Sequence, residues 1–160
     1  MLHPQPRKVA ALIDGELLST AMHARSVGRV VFWELQNLVE ERKAHPALYF
    51  RTQAAGSVVD SAAKHGLMLR RAPLNVISSL TLSAVLLMEE CDVIVLIGVD
   101  RSYLPLISYL QSRGVEVEVW GANDASATAL RSAADKYVSL ADDSAPELKR
   151  DPPGTIAQVL

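Results

Sequence analysis

One stretch limits the fold more than any other. Residues 92–110 read DVIVLIGVDRSYLPLISYL. The first part is an apolar run rich in Val and Ile, too short to span a membrane. It fits a strand buried on both faces, as in a parallel sheet. The second part places Tyr103, Leu106, Ile107 and Leu110 at helical spacing. Asp100 stands between the two, at the carboxyl end of the strand, the edge at which open α/β sheets bind ligands. A polar residue at such a hinge is also a good helix N-cap, and Asp100 and Ser102 both suit that role. From this stretch alone, the site reading and the cap reading both stay open.

The same strand-then-helix pattern recurs along the chain. Val9 to Ile13 is a short apolar strand ending in Asp14-Gly15-Glu16, again with a carboxylate at a strand's carboxyl end. Leu17 to Ala24 suggests a short helix, and Val30 to Lys43 a longer one with a wide apolar face that includes Phe32 and Trp33. Ala47 to Arg51 is the second strand, and Ala54 to His65 a helix closed by Gly66. Leu67 to Arg71 is the third strand, stopped by Pro73. Ser79 to Glu90 is a helix so apolar around its circumference that it must be deeply buried or shared with a partner. After the opening stretch come a strand at Val115 to Trp120, a helix at Ser126 to Lys136 and a last short strand at Tyr137 to Leu140. Alternation of this kind implies right-handed crossovers. The expected fold is α/β: a single Rossmann-like domain with a mostly parallel sheet of five to six strands and helices on both faces.

Length and composition set the outer bounds. A chain of 160 residues suits one domain and can bury a real core. Residues 1–7 form a loose start, 8–140 the folded domain, and 141–160 a polar, proline-bearing tail whose composition predicts disorder. The closing TIAQVL has the look of a docking peptide or of a floppy end. A net charge of −2 gives no global basic footprint, so nucleic-acid binding would need a local patch. With Cys91 as the single cysteine, no intrachain disulfide can form, and a reducing compartment is compatible. There is no apolar signal core at the start and no run of roughly 18 apolar residues, so a cytoplasmic protein without a membrane span is expected. GxGxxG and GxxxxGK[ST] are both missing, as are zinc spacings among His3, His23, His45, His65 and Cys91, and a GxSxG elbow.

The groups that could carry chemistry sit at strand ends. Asp14 and Asp100 are acidic, with Glu16 nearby; Arg51, Arg70, Arg71 and Arg101 lie at or just beyond the ends of other strands. In a parallel sheet all of them share one edge. Two carboxylates can hold a divalent cation that activates water for phosphodiester cleavage, although two-metal cleavage needs more acids than this. Arginines there would favour phosphate; as solvated loop charges they would have no such role.

Three segments, in order, resemble one family. ALIDGELL is similar to the IDGEN segment of NYN domains, PIN-like ribonucleases that include the LabA-like proteins. IGVDRSYLPLISYLQSRGVEVEVWG is similar to their SGDSDFxPL segment with the RGxxV strand that follows. SATALRSAADKYVSL is similar to their closing SxxLxxxADxFxxL. The resemblance runs from about Val9 to Leu140 and implies a PIN-like fold and a Mg²⁺- or Mn²⁺-dependent nuclease built on clustered aspartates. Carried across, the first aspartate is Asp14 and the first of SGDSDF is Asp100, with Gly98-Val99 on the small pair before it. The second aspartate of that segment falls on Ser102, the asparagine of IDGEN on Leu17, and two further family carboxylates on Asn75 and Thr81. The scaffold is kept and the acid cluster is thinned. Neutral groups hold a hard cation far more weakly than carboxylates, and they relieve carboxylate repulsion.

Three functions follow as expectations. The leading one is an RNA-binding or regulatory pseudonuclease, with Arg51, Arg70, Arg71 and Arg101 on single-stranded RNA. The second is a weak Mg²⁺- or Mn²⁺-dependent ribonuclease whose metal sits on Asp14, Asp100 and Glu16. The third is an assembly subunit that makes no RNA contact. Helix 79–90 and Phe32-Trp33 offer apolar surface for a homodimer or larger assembly.

Overall fold

A computed structural model describes residues 3–51 and 66–141; the helix expected over 54–65 and the tail from 142 onward lie outside them. In chain order the elements are β1 (Val9–Asp14), α1 (Gly15–His23), α2 (Val30–Glu40), β2 (Ala47–Phe50), β3 (Met68–Arg71), α3 (Val76–Leu87), β4 (Val93–Ile97), a 3₁₀ turn (Arg101–Tyr103), α4 (Leu104–Ser112), β5 (Glu116–Gly121), α5 (Ala127–Ala133) and β6 (Lys136–Ser139). The six strands form one sheet in the order β3-β2-β1-β4-β5-β6, and every pairing is parallel. The chain leaves β1 toward one edge and, after β3, returns past β1 to start again at β4. That reversal opens a crevice between the carboxyl ends of β1 and β4, where doubly wound sheets take their ligands.

Alternation along the strands builds two cores. Ala11, Ile13, Leu48, Val93, Val95, Ile97 and Trp120 face α1 and α2, meeting Leu18, Val31, Phe32, Leu35 and Leu38. Leu12, Tyr49, Ile94, Leu96, Val117 and Val119 face the other way, onto Leu80 and Ala84 of α3, Leu106, Ile107 and Leu110 of α4, and Leu130 of α5. All five residues of β4 are buried, as the unbroken VIVLI requires of a central strand covered on both faces.

Several boundaries differ from the sequence expectation, each for a local reason. α2 stops at Glu40 because Lys43 adopts the left-handed conformation (φ 56°) and the Ala44 N–H closes back on the Leu38 carbonyl at 3.0 Å. α3 begins three residues early because Asn75 is its N-cap, accepting the Ser78 N–H at 3.2 Å. α5 ends at Ala133 because the next residues join the sheet, with the Asp135 N–H on the Val117 carbonyl at 2.9 Å and Lys136 in register with Glu118. The apolar helix is buried along one face only. Val76, Leu80 and Ala84 are buried, while Leu82 and Leu86 are 62% and 69% exposed. Phe32 lies in the core, so of the Phe32-Trp33 pair only Trp33 keeps surface.

Two packing features bear on the site's frame. Gly98, just after β4, has φ +73°, and a Cβ there would stand 2.7 Å from the Leu18 Cβ of α1. On the same face of the sheet, toward β5 and β6, Glu118 is 2% exposed. It accepts Arg42 at 2.8 Å and the Trp120 indole N–H at 3.0 Å, with Lys136 at 3.7 Å. This group ties the loop after α2 to β5 and β6.

Candidate functional site at the carboxyl edge

Asp14 is the last residue of β1, and only 2% of it is exposed. Its Oδ1 accepts the Leu17 N–H at 2.9 Å, which makes it the N-cap of α1. Its Oδ2 accepts the Tyr103 hydroxyl at 2.6 Å, across 89 residues of chain. Asp100, on the other side of the crevice, caps the 3₁₀ turn: its Oδ1 accepts the Ser102 N–H at 2.9 Å and, in a short contact, the Ser102 hydroxyl. The cap reading of Asp100 therefore holds, at a position three residues beyond the end of β4. Gly15 lets α1 start hard against β2, since a Cβ there would meet the Tyr49 carbonyl at 2.6 Å. Glu16 reaches toward β2 and accepts the Arg51 N–H at 2.8 Å. Ser126 caps α5 in position but not through its hydroxyl, which accepts the Arg101 N–H at 3.1 Å and pins the 3₁₀ turn to α5.

The sheet does collect the arginines along this edge. Arg51 follows β2, Arg71 ends β3 and Arg101 follows β4. Asp14 is level with Tyr49 and Tyr49 with Arg70, so Arg70 lies two strands from Asp14 on the same face, about 10 Å away at normal strand spacing. The edge therefore carries Arg51, Arg70 and Arg71 at β3-β2 and the acidic pair at β1-β4, with Arg101 next to Asp100 in the chain. No arginine is among the groups that act most strongly on Asp14; the charge that does is Asp100, which is repulsive. Of the positions that the family motif maps to carboxylates, Asn75 is committed to capping α3, Ser102 to Asp100, and Thr81 is half-buried on α3. Asp135 of the closing motif lies at the opposite edge, where it accepts the Val117 N–H at 2.8 Å and the Gln111 side chain at 3.2 Å.

Tyr103 is the residue that sequence reasoning missed. Helical spacing reads it as core, and it is 1% exposed. The available signal was the motif itself: Tyr103 falls on the phenylalanine of SGDSDF, so its hydroxyl is the one atom added there. Burial pushes that hydroxyl's pKa up, and the adjacent Asp14 charge pushes it further, so it stays a donor.

Burial also raises the Asp14 carboxyl above its ordinary 3.8; the Leu17 and Tyr103 hydrogen bonds pull it back, and Asp100 adds to the rise. A carboxyl raised in this way binds its proton more tightly in the folded chain than in the unfolded one. It favours folding fully below pH 3.8, and that contribution is lost as pH climbs through the raised folded value. Asp14→Asn should therefore raise the melting temperature at pH 7, with a smaller gain at pH 3. The tyrosine hydroxyl can rotate to accept from the new amide. Thermal melts at the two pH values check this, and a lower melting temperature at pH 7 would contradict it.

The profile of the NYN domain matches residues 8–141. The chain belongs to the NYN family. It is a PIN-like, nuclease-family α/β domain. The NYN chain also resembles, in fold alone, the crystal structure of a protein of unknown function from Vibrio parahaemolyticus RIMD 2210633, with a TM-score of 0.70 at 17% identity over 89% of this chain and 98% of that one. No curated protein matches it. Among the described residues no helix is long and apolar enough to cross a membrane.

NYN nucleases generally use divalent metals, and the donor set here can be tested against one. Mg²⁺ takes about six oxygens in strict octahedral order. Both Asp14 oxygens and one of Asp100 already accept protein donors, and Glu16 is bound to the Arg51 backbone. Among the described residues, no three His, Cys, Asp or Glu side chains form a group that could hold an ion. The residues present do not fit a resident divalent cation.

Proposed function

We propose that this NYN domain is a pseudonuclease that binds single-stranded RNA, or regulates it, without cutting it. The observation that carries the reading is the make-up of the edge: an acidic pair in which both oxygens of Asp14 and one of Asp100 accept internal donors, beside a row of arginines. Carboxylate and arginine would share work in a nuclease, the acids holding metal and the arginines holding phosphate. With Asp14 buried and Asp100 engaged by its own turn, phosphate contact falls to Arg51, Arg70, Arg71 and Arg101. Such contacts position a backbone and carry little sequence information.

The test is fluorescence anisotropy with short single-stranded RNA across a salt series. Each phosphate neutralised contributes about −0.7 to the slope of log K against log salt. Arg101→Ala should weaken binding for all sequences and reduce the slope by about that amount. Arg101→Glu should weaken it further, because it repels phosphate. If wild type does not bind even at low salt, the RNA reading fails. The assembly reading then takes its place, favoured by Leu82, Leu86 and Met68, which expose 62%, 69% and 42% of their surface on and beside α3. A homodimer or larger assembly would use that surface.

A further inference from the structure

The two aspartates are linked through one turn. Asp100 caps the 3₁₀ turn over Arg101–Tyr103, and Ser126 holds the Arg101 N–H so that the turn stays against α5. The turn ends at Tyr103, which belongs to the same core as Val99, Leu106 and Ile107 and whose hydroxyl lands on Asp14. A carboxylate this buried needs donors, and the donors that meet it here are neutral ones from the protein itself. A cation between two carboxylates would do two things: satisfy the inner oxygen and hold the two strand ends together. Tyr103 does both.

We propose that the Tyr103 hydroxyl takes the place of a cation at the Asp14–Asp100 pair and closes that pair to divalent metal ions. The inference rests on the pseudonuclease reading and assigns the closing of the Asp14–Asp100 pair itself, beyond the thinning of the acid cluster, to one residue. Tyr103 is a positioning residue: it acts on Asp14 and not on any substrate. Phenylalanine at this position would keep the ring packing and free one Asp14 oxygen beside Asp100.

The experiment titrates Mn²⁺ alone into the full chain, read by electron paramagnetic resonance, for wild type, Tyr103→Phe, and Tyr103→Phe with Asp14→Asn. The single variant should bind Mn²⁺ about tenfold or more tightly than wild type, the size of effect that an outer ligand-orienting group has on metal affinity. The double variant should return to the wild-type level. A single variant with wild-type circular dichroism that binds no more tightly overturns the proposal, and so does a gain that survives loss of Asp14. Should Tyr103→Phe fail to fold, wild type answers instead. With carboxyl-labelled aspartate, Mn²⁺ should broaden the exposed Asp92 resonance before that of Asp14, and the reverse order overturns the proposal. RNA binding by wild type in EDTA is measured alongside. Its absence would remove the RNA reading and leave the Mn²⁺ result standing, whereas tight Mn²⁺ binding by wild type would remove the tyrosine's role and leave RNA binding standing.

Discussion

Replacing Gly98 with alanine should destabilise the domain by about 3 kcal/mol, combining the cost of a non-glycine residue in a positive-φ conformation with that of an overpacked contact. At φ +73° the backbone is one that side chains rarely adopt, and the added Cβ would lie 2.7 Å from the Leu18 Cβ and 3.2 Å from its Cα. Leu18 is fully buried against the sheet, so it cannot swing aside. The strain falls between α1, which Asp14 caps, and the end of β4, from which the chain runs on to Asp100. Urea denaturation should show a lower midpoint with an unchanged slope. A midpoint equal to wild type would mean that α1 can shift, and that the crevice is less rigidly framed than the packing indicates.

Glu118→Ala should cost about as much, roughly 3 kcal/mol, the range found when one partner of a buried ion pair is removed. Glu118 is 2% exposed, and its loss leaves the Trp120 indole N–H and the Arg42 guanidinium without their acceptor. Arg42 keeps about a third of its side chain exposed and can turn to water, which holds the cost near the lower end of that range. Glu118→Gln should be milder, because its amide oxygen can still accept the indole N–H. Glu34 of α2 sits in the same field. Burial raises its carboxyl pKa, and Lys136 and Arg42 pull it down against Glu118. Tryptophan fluorescence during chemical unfolding gives both values, since Trp120 reports on the site directly. An alanine variant as stable as wild type would show that water replaces the buried acceptor at no cost.

The parts of the structure legible in the sequence were those written in local pattern. VIVLI can be little but a central strand, and the acids after β1 and β4 announce the crevice because strand ends in a parallel sheet share an edge. The helix boundaries that moved did so through single capping groups. Asn75, read as a lost carboxylate, is first of all the cap that starts α3. Long-range pairings left no trace. In VEVEVW the alternation marks Glu118 as an outward polar residue, and only the approach of Arg42 and the register of Trp120 make it an inward one. Tyr103 fits a helical core pattern perfectly well without its hydroxyl; nothing local says that the oxygen meets a residue 89 positions earlier.

The most direct test is cleavage. Purified wild-type protein is incubated with labelled single-stranded RNA in Mn²⁺, beside Asp100→Asn and an EDTA control, and the products are resolved on a denaturing gel. Intact RNA is expected in every lane, at protein concentrations where anisotropy shows the RNA bound. Cleavage by wild type that disappears in both Asp100→Asn and EDTA would contradict the pseudonuclease reading and establish Asp14 and Asp100 as a working metal-dependent site.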